Sequence, residues 1–347
     1  MKLAIHHSKG SFSERWISYC RDNAIPYTLV DCYRNDIIEQ LKDCDALLWH
    51  WHHGDYKAVR FARQLTYSLE AAGIKVFPDS KTVWHFDDKV GQKYLAEALH
   101  MPLVPSFVFY SKEEAMQWAT STDYPKVFKL RGGAGASNVK LVRSASEAGR
   151  LINKAFGRGF AARDRFNRFR DALWRFKRDR NRAAFLGLFK GIGRIFLPTV
   201  YENMQGREKG YVYFQEFMPD NSYDTRIIVI NGKAFAIRRY NREGDFRASG
   251  SGLIGFDQKL FDERMVRISF DLADKMQSQS LALDFIYDRQ QQPLIVEMSY
   301  GFMMPVYDPC TGYWDRQLNW HEGPFNPQQF MVEGLMDQIV QQKPALT

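Results

Sequence analysis

The stretch LALDFIYDRQQQPLIVEMSYG, residues 281–301, predicts a β-hairpin with one acidic side chain on each strand. Two apolar runs flank a polar turn at residues 288–292, and Pro293 follows that turn. Asp284 lies in the first run and Glu297 in the second. Because a hairpin places its strands side by side, we expect these carboxylates at neighbouring positions, where their oxygens can hold a hard divalent cation.

A row of arginines precedes this hairpin in the stretch YFQEFMPDNSYDTRIIVINGKAFAIRRYNREGDFRASGSG, residues 213–252. The cations on its strand-like segments are Arg226, Arg238, Arg239 and Arg247. Each arginine taken alone fits a surface salt bridge equally well, but several on strands that face a metal-binding hairpin favour anion binding. Two acids for Mg²⁺ and several cations for anions are what phosphoryl-transfer chemistry requires.

A glycine-rich loop lies upstream of the arginines. The strand-like run YPKVFKL, residues 124–130, continues into RGGAGASNV, residues 131–139. Small residues let backbone N–H groups approach phosphate oxygens closely, and Lys129 adds a positive charge. The loop is not a Walker A motif, and the strand-like run at residues 139–142 replaces the helix that a dinucleotide fingerprint needs. Strand, glycine loop and strand predict a flap over phosphates, although the motif alone fits a simple turn.

Seven features occur in one order along the chain. They are Asp88-Lys89 ahead of a helical stretch, the Lys129 strand with its flap, QEFM at residues 215–218, Asp224-x-Arg226, GDFR at residues 244–247, Asp284 and Glu297. With this order and spacing the chain resembles the ATP-grasp superfamily over roughly residues 87–301. It is most similar to the branch that contains the ribosomal-protein glutamate ligase RimK and bacterial glutathione synthetase. The resemblance implies an α/β (α+β) fold, with an N-terminal parallel α/β domain and two α+β lobes that clasp ATP.

The resemblance also implies roles for individual residues. Contacts with the ATP phosphates and adenine fall to Lys89 and Lys129. The phosphate flap consists of Gly132, Gly133, Gly135 and Ser137. The linker beside the adenine edge consists of Gln215, Glu216, Phe217 and Met218. The metal ligands are Asp284, Glu297 and Ser299. The cations near the acyl substrate and the transferred phosphate are Arg226, Arg239 and Arg247.

The implied function is an ATP-dependent ligase that joins a carboxylate to an amine through an acylphosphate and releases ADP and phosphate. The implied cofactors are ATP and one or two Mg²⁺ ions, which Mn²⁺ can replace. Ser299 stands where the family usually has asparagine, and Ala248-Ser249 replaces another usual asparagine. The serine hydroxyl is a weaker oxygen ligand, which weakens the expected second metal position. It keeps a nucleotide-binding pseudoenzyme or scaffold open as an alternative, and a kinase-like phosphotransferase is the alternative among enzymes.

The length of 347 residues predicts several domains. We expect an N-terminal domain at residues 1–86, a first lobe at 87–210 and a second lobe with the metal site at 211–342. Residues 1–86 alternate strand-like and helical runs, which predicts a parallel sheet. Such sheets bind ligands beyond the carboxyl ends of their strands, where His50, His52 and His53 lie. We expect these histidines at a pocket rim or on the surface, with contact to substrate as the alternative for His52 or His53.

Basic residues are concentrated in one segment. Residues 154–194 contain 13 lysines and arginines and three aspartates, a net charge of +10, whereas the whole chain has +8. Phenylalanine and leucine recur there at helical spacing, which predicts a basic helical insertion at about residues 156–198. Three interpretations stay open. The aromatic face packs on the body, the segment binds an anionic membrane surface, or it binds an acidic polymer, with nucleic acid less favoured.

Substrates and location are predicted only by class. We expect a small-molecule, glycan or peptide acceptor, and we consider decoration of a membrane-linked glycan in polysaccharide biosynthesis. The four cysteines form no Cys-x-x-Cys pair, and no apolar run has membrane-spanning length. These features predict a cytoplasmic protein, with a peripheral position at the inner face of the membrane if the basic segment binds lipid. A homodimer is also considered.

Overall fold

The computed structural model describes residues 1–132, 138–161, 204, 206–248 and 251–342. Three predicted flap residues, Gly133, Gly135 and Ser137, lie outside these ranges, as do residues 162–198 of the predicted insertion. The described chain forms one parallel sheet, two large antiparallel sheets and a two-stranded ladder, with helices packed on them. The predicted α/β architecture is therefore confirmed.

The N-terminal residues form a four-stranded parallel sheet with the order β2-β1-β3-β4. Its strands are β1 (Leu3–His6), β2 (Tyr27–Val30), β3 (Ala46–Leu48) and β4 (Lys75–Phe77). Its helices are α1 (Ser13–Asp22), α2 (Ile37–Gln40), α3 (Tyr56–Ala71) and α4 (Ser80–Val83). Strand β3 ends at Leu48, so His50 lies two residues beyond its carboxyl end.

The next residues build an antiparallel sheet with the order β5-β10-β6-β7. Its strands are β5 (Ser106–Phe109), β6 (Lys126–Lys129), β7 (Lys140–Val142) and β10 (Val212–Glu216). Its helices are α5 (Lys89–Ala98), α6 (Lys112–Ser121) and α7 (Ala145–Phe156). Strands β6 and β7 pair as an antiparallel hairpin, so the two ends of the predicted flap are held together.

Strand β10 follows the predicted boundary between the two lobes at residues 210 and 211. It lies between β5 and β6 in the first lobe's sheet, where Val212 and Phe214 are buried. The backbone N–H and C=O groups on both edges of a buried strand need hydrogen-bond partners, and β5 and β6 supply them for β10. The chain therefore passes from the first lobe to the second after Glu216, within the predicted linker.

The ends of the basic segment meet in the ladder of β8 (Phe160–Ala161) and β9 (Arg207–Glu208). Ala161 and Arg207 are paired neighbours, and the Arg207 side chain donates hydrogen bonds to the carbonyls of Arg158 and Gly159. Asn138, where the described chain resumes after the flap, donates to the Ala161 carbonyl at 3.2 Å. The described residues on either side of the basic segment therefore lie beside Asn138, which follows the predicted flap.

The C-terminal residues form a larger antiparallel sheet with the order β15-β14-β11-β12-β16-β17, and β13 also pairs with β12. Its strands are β11 (Tyr223–Ile230), β12 (Lys233–Tyr240), β13 (Ile254–Gly255), β14 (Ser280–Tyr287), β15 (Pro293–Ser299), β16 (Gly312–Trp314) and β17 (Trp320–Glu322). Its helices are α8 (Glu263–Met276), α9 (Met304–Tyr307) and α10 (Pro327–Gln342), and a 3₁₀ turn spans Gln258–Leu260. None of the helices in the described ranges is long and apolar enough to cross a membrane.

The alternation of side chains along β11, β12 and β14 divides this sheet into two faces. Ile227, Leu283 and Phe285 lie on one face and pack in a common core with helix α8. Ile228 and Phe235 lie on the other face and share a core with the N-terminal sheet. Towards one end this second face becomes polar, and that end carries the candidate site.

Candidate active site

Asp284 and Glu297 lie opposite each other in the register of β14 and β15. Directly paired residues of neighbouring strands point to the same face of a sheet, so the two carboxylates emerge side by side. The register shifts immediately after Asp284, at a bulge that interrupts the regular pairing beside the acids. The predicted hairpin is confirmed, and its acids occupy the polar end of the second face.

Two arginines hold the Asp284 carboxylate. Arg226 is its direct partner on β11, and its Nη2 donates to Asp284 Oδ2 at 2.7 Å. Arg239 Nη2 lies 2.7 Å from the same oxygen and also pairs with Asp224. Arg238 lies on the other face of β12. Its guanidinium donates a hydrogen bond to the Leu260 carbonyl and lies over the Tyr223 ring. Because side chains alternate between the two faces of a strand, Arg226 and Arg239 lie on the face of Asp284 and Arg238 does not.

These ion pairs keep the acid charged. Burial alone would raise the pKa of Asp284, but Arg226 and Arg239 outweigh burial and hold that pKa far below its ordinary value. Burial opposes the charge of the arginines too, yet Asp284 holds the pKa of both guanidinium groups above the ordinary value. Asp284 is thus a buried carboxylate that stays ionised because its neighbours compensate it.

Two buried lysines approach the other acid. Lys89 Nζ lies 3.1 Å from Glu297 Oε1, and Lys129 contributes a second positive charge nearby. Burial would raise the pKa of Glu297, but the two lysines lower it below its ordinary value. Burial lowers the pKa of Lys129 itself to about 8, against the opposing charge of Glu297. Lys129 therefore sits close to its own titration point at physiological pH.

The sheet of the first lobe positions Lys129. Its Nζ donates to Gln215 Oε1 at 2.5 Å, and Gln215 in turn donates to the Ser106 hydroxyl at 3.1 Å. Glu216, the next residue of the predicted linker, pairs with the buried Lys126 on β6. Beyond the strand, the Phe217 ring contacts Phe246 edge-on at 5.8 Å, and the Met218 carbonyl accepts from Asn221. The linker residues thus make contacts with both lobes.

The base of the flap is tied to the helix that carries Lys89. Asp88 caps helix α5 by accepting from the Gly91 amide at 2.9 Å, and Lys89 N donates to the Arg131 carbonyl at 2.9 Å. A Cβ at Gly132 would approach the Asp87 carboxylate to 3.3 Å. A larger residue at Gly132 would therefore require the Asp87 carboxylate to shift by a few tenths of an ångström, so a glycine fits this close approach best.

Two predicted site residues have local partners. Arg247 follows β12, and its Nη2 pairs with Asp245 at 2.7 Å. The Ser299 hydroxyl lies on the same face as Glu297, but it exchanges hydrogen bonds of 3.1 Å with the Gly301 backbone. The structure thus brings Arg226 and Arg239 together at Asp284, and it gives the Ser299 hydroxyl a partner within its own turn.

Sequence reasoning missed Tyr307. This tyrosine ends helix α9, and its ring packs against Phe235 and Phe302 in the core. Its buried hydroxyl reaches the Arg226 guanidinium. Burial raises the pKa of the phenol, so Tyr307 is a neutral hydrogen-bonding group at the acid–arginine cluster. A tyrosine eight residues beyond the hairpin carries no motif that would have identified it.

The chain is similar to known proteins in sequence and in structure. A family model described as the ATP-grasp domain of prokaryotic glutathione synthetase matches residues 193–288. The chain is similar in structure to the D-cycloserine synthetase DcsG, with a TM-score of 0.55 and 12% identity over 98% of this chain and 100% of that one. The chain has the ATP-grasp fold.

Two further solved structures share this fold. A RimK domain ATP-grasp protein from Sphaerobacter thermophilus is 12% identical, with a TM-score of 0.55 over 96% of this chain and 99% of that one. The ATP-grasp ligase PsnB, solved with a minimal precursor, Mg and ADP, is 10% identical, with a TM-score of 0.56 over 98% of both chains. No curated protein sequence matches this chain.

The donor set of this ATP-grasp cleft fits a magnesium ion that also binds phosphate. Asp284 and Glu297 are adjacent and both are kept ionised. In the part of the chain that the structure describes, no group of three acidic, histidine or cysteine side chains forms a complete metal cage. Mg²⁺ is commonly held by one or two carboxylates and completes its six ligands with water and substrate phosphate. Two carboxylates beside two buried lysines match that mode.

Proposed function

We propose that this protein is an ATP-dependent ligase that activates a carboxylate as an acylphosphate and transfers the acyl group to an amine. The observation that carries the proposal is the pairing of Asp284 with Glu297 beside two buried lysines and two partly buried arginines, between two ATP-grasp sheets. Three carboxylates, with Asp224 included, face Arg226, Arg239 and two lysines. Such a cluster can accept the negative charge of a nucleotide triphosphate.

The lysines act on ATP in this proposal. Lys129 and Lys89 lie beside Glu297 and bind phosphate oxygens, while the linker at residues 215–218 receives the adenine edge. Mg²⁺ bound by Asp284 and Glu297 would neutralise phosphate charge and hold the triphosphate in register. The flap that begins at Gly132 closes over the phosphates and keeps water from the activated acid.

The reaction proceeds in two transfers. A carboxylate oxygen of the first substrate attacks the γ-phosphorus, the bond to the bridging oxygen of ADP breaks, and an acylphosphate forms. A neutral amine then attacks the acyl carbon, phosphate leaves with the former carboxylate oxygen, and the amine proton passes to solvent or phosphate. Asp284 engages the Nε and Nη2 groups of Arg226, so the Nη1 edge remains to stabilise the transferred phosphoryl group.

The test is an assay with Mg·ATP, hydroxylamine and a panel of amino acids, dipeptides and sugar acids. We expect ADP and hydroxamate to form together with one class of acid, because hydroxylamine traps an acylphosphate. ADP without hydroxamate would instead support a phosphotransferase. Nucleotide binding without ADP formation across the panel would support a scaffold.

Tyr307→Phe tests the support given to Arg226. The change removes one hydroxyl and keeps the ring packing, so we expect kcat to fall about tenfold and the KM for ATP to stay the same. Steady-state kinetics measure both values. Tyr313→Phe is the control, because that ring packs against Phe325 and Phe330. An equal effect of both substitutions on kcat would contradict a specific role for Tyr307.

We further propose that the segment between β8 and β9 binds an anionic membrane surface on the cytoplasmic side and brings the enzyme to an amine or acid carried by a membrane-linked glycan. Residues 162–205 contain 11 lysines and arginines and four acids, and this net charge of +7 supports the proposal, since each basic residue near an anionic surface contributes about 1 kcal/mol. An acidic polymer is the alternative partner of the segment. A peptide is an alternative acceptor, because PsnB has been solved with a precursor peptide.

Deleting the segment separates membrane binding from catalysis. Because Ala161 and Arg207 are paired neighbours, a two-residue turn can replace residues 162–205 without stretching the ladder. We expect the shortened protein to lose sedimentation with phosphatidylserine vesicles and to keep ADP formation. Unchanged sedimentation would contradict the membrane proposal, and wild-type binding to polyanions but not to vesicles would favour an acidic polymer.

A further inference from the structure

One histidine at the edge of the N-terminal sheet has a fixed tautomer. The Phe12 backbone N–H donates to His50 Nδ1 at 3.1 Å, and the two rings stack with centroids 3.6 Å apart. A backbone N–H can only donate, so Nδ1 is unprotonated and the neutral ring carries its proton on Nε2. Burial lowers the pKa of His50 to about 3, which keeps the ring neutral at physiological pH. His50 is therefore a permanent donor through Nε2.

The Nε2 atom faces the loop that follows the predicted metal hairpin. A Cβ built on Gly301 would lie 3.7 Å from it, and Gly301 follows Glu297 by four residues. Among the described residues Nε2 has no hydrogen-bond partner, and it is not one of the atoms sealed from solvent without a partner. A donor that is fixed, neutral and accessible is suited to an oxygen of a ligand.

The position of His50 also bears on the length of a ligand that could reach it from the phosphoryl-transfer site. It lies beyond the carboxyl end of β3, the edge at which parallel sheets bind ligands. Four residues of extended chain span at most about 13 Å, so Gly301 lies within that distance of Glu297. In the described chain His50 is not among the partners of Glu297, Asp284 or Lys129, so it stands apart from the charged cluster. A ligand that reaches from the phosphoryl-transfer site to His50 must therefore carry a second oxygen several bonds from its reacting carboxyl group.

We propose that His50 is a specificity-determining residue whose Nε2–H binds a remote oxygen of the carboxylate substrate. This inference rests on the proposed ligase function. It assigns the substrate to acids of the size of a dipeptide or a sugar acid, in which an amide carbonyl or hydroxyl lies beyond the reacting carboxyl group. Short monocarboxylic acids lack the atom that His50 would bind.

Two substitutions at His50 separate the donor from its structural bond. Asparagine places an amide oxygen near the position of Nδ1 and can still accept from Phe12 N–H, but it has nothing at Nε2. Glutamine places an amide nitrogen near Nε2 and can donate. The readout is hydroxamate formation with Mg·ATP, with alanylalanine and glucuronate as long acids and propionate as the short acid. Thermal unfolding checks that each variant is folded.

We expect wild type to prefer one long acid over propionate, and His50→Asn to lower kcat/KM for that acid about fivefold to tenfold. The same variant should leave the value for propionate and the KM for ATP unchanged, and His50→Gln should restore part of the loss. Equal losses for long and short acids, or none, would overturn the inference while hydroxamate formation still supports a ligase. No hydroxamate with any acid would refute the ligase and the inference with it.

Discussion

Asp284→Asn is expected to lower kcat for ADP formation roughly a thousandfold, since it removes one of two carboxylates that would hold Mg²⁺ against the phosphates. The same change frees Arg226 and Arg239 from the anion that compensates them in a buried site. Removing one partner of a buried ion pair costs about 3–5 kcal/mol of unfolding free energy. Coupled ADP assays and urea unfolding measure the two effects.

The matched control for this substitution is Asp274→Asn. Asp274 pairs with Arg316 on the surface, where both side chains are about half exposed. An exposed pair contributes at most about 1 kcal/mol, so the control should keep both activity and stability. Wild-type turnover in a folded Asp284→Asn protein would contradict the metal assignment. A large stability loss without loss of turnover would reduce Asp284 to a structural anchor for the arginines.

Lys129→Met is expected to weaken ATP binding roughly 10- to 100-fold, because a charged hydrogen bond to phosphate is lost. The wild-type protein should show a pH dependence that this variant lacks. With a pKa of about 8, Lys129 is cationic below pH 8 and becomes neutral above it. Phosphate groups have completed their ionisation by then. The dissociation constant for ATP should therefore rise with pH above about 8.

Calorimetric titration of ATP between pH 7 and 9.5 measures this dependence and the proton taken up on binding. Lys112→Met, an exposed lysine on helix α6, is the control and should behave as wild type. A pH profile that is the same in wild type and Lys129→Met would show that another group titrates. Unchanged affinity in the variant would remove Lys129 from the phosphate site.

The hairpin and the faces of the large sheet could be predicted from the sequence, because both follow from the two-residue period of strands and from turn residues. Asp284 and Glu297 fall on strands separated by a short polar turn, so local pattern is enough to place them side by side. Arg226 and Arg239 fall on one face of β11 and β12 because these strands also form a hairpin, whereas their pairing with Asp284 depends on register between distant strands. The order of seven short features, rather than any one of them, predicted the ATP-grasp fold.

Other features depend on contacts between distant residues. That Val212–Glu216 belongs to the first lobe follows from its pairing with two strands far away in sequence, which no local pattern specifies. The Tyr307 hydroxyl and the His50 tautomer depend on which group each side chain meets after folding. The ion pairs of Asp284 likewise require a three-dimensional register. Strands β16 and β17 were not predicted from the sequence.

Transfer of oxygen from the acid to phosphate tests the central claim most directly. The acid identified by the hydroxamate panel is labelled with ¹⁸O in its carboxyl group and incubated with Mg·ATP and the amine. An acylphosphate route predicts that the released phosphate carries one ¹⁸O atom for each amide formed, because the carboxyl oxygen that attacks the γ-phosphorus leaves with it. Amide formation with unlabelled phosphate would contradict the account.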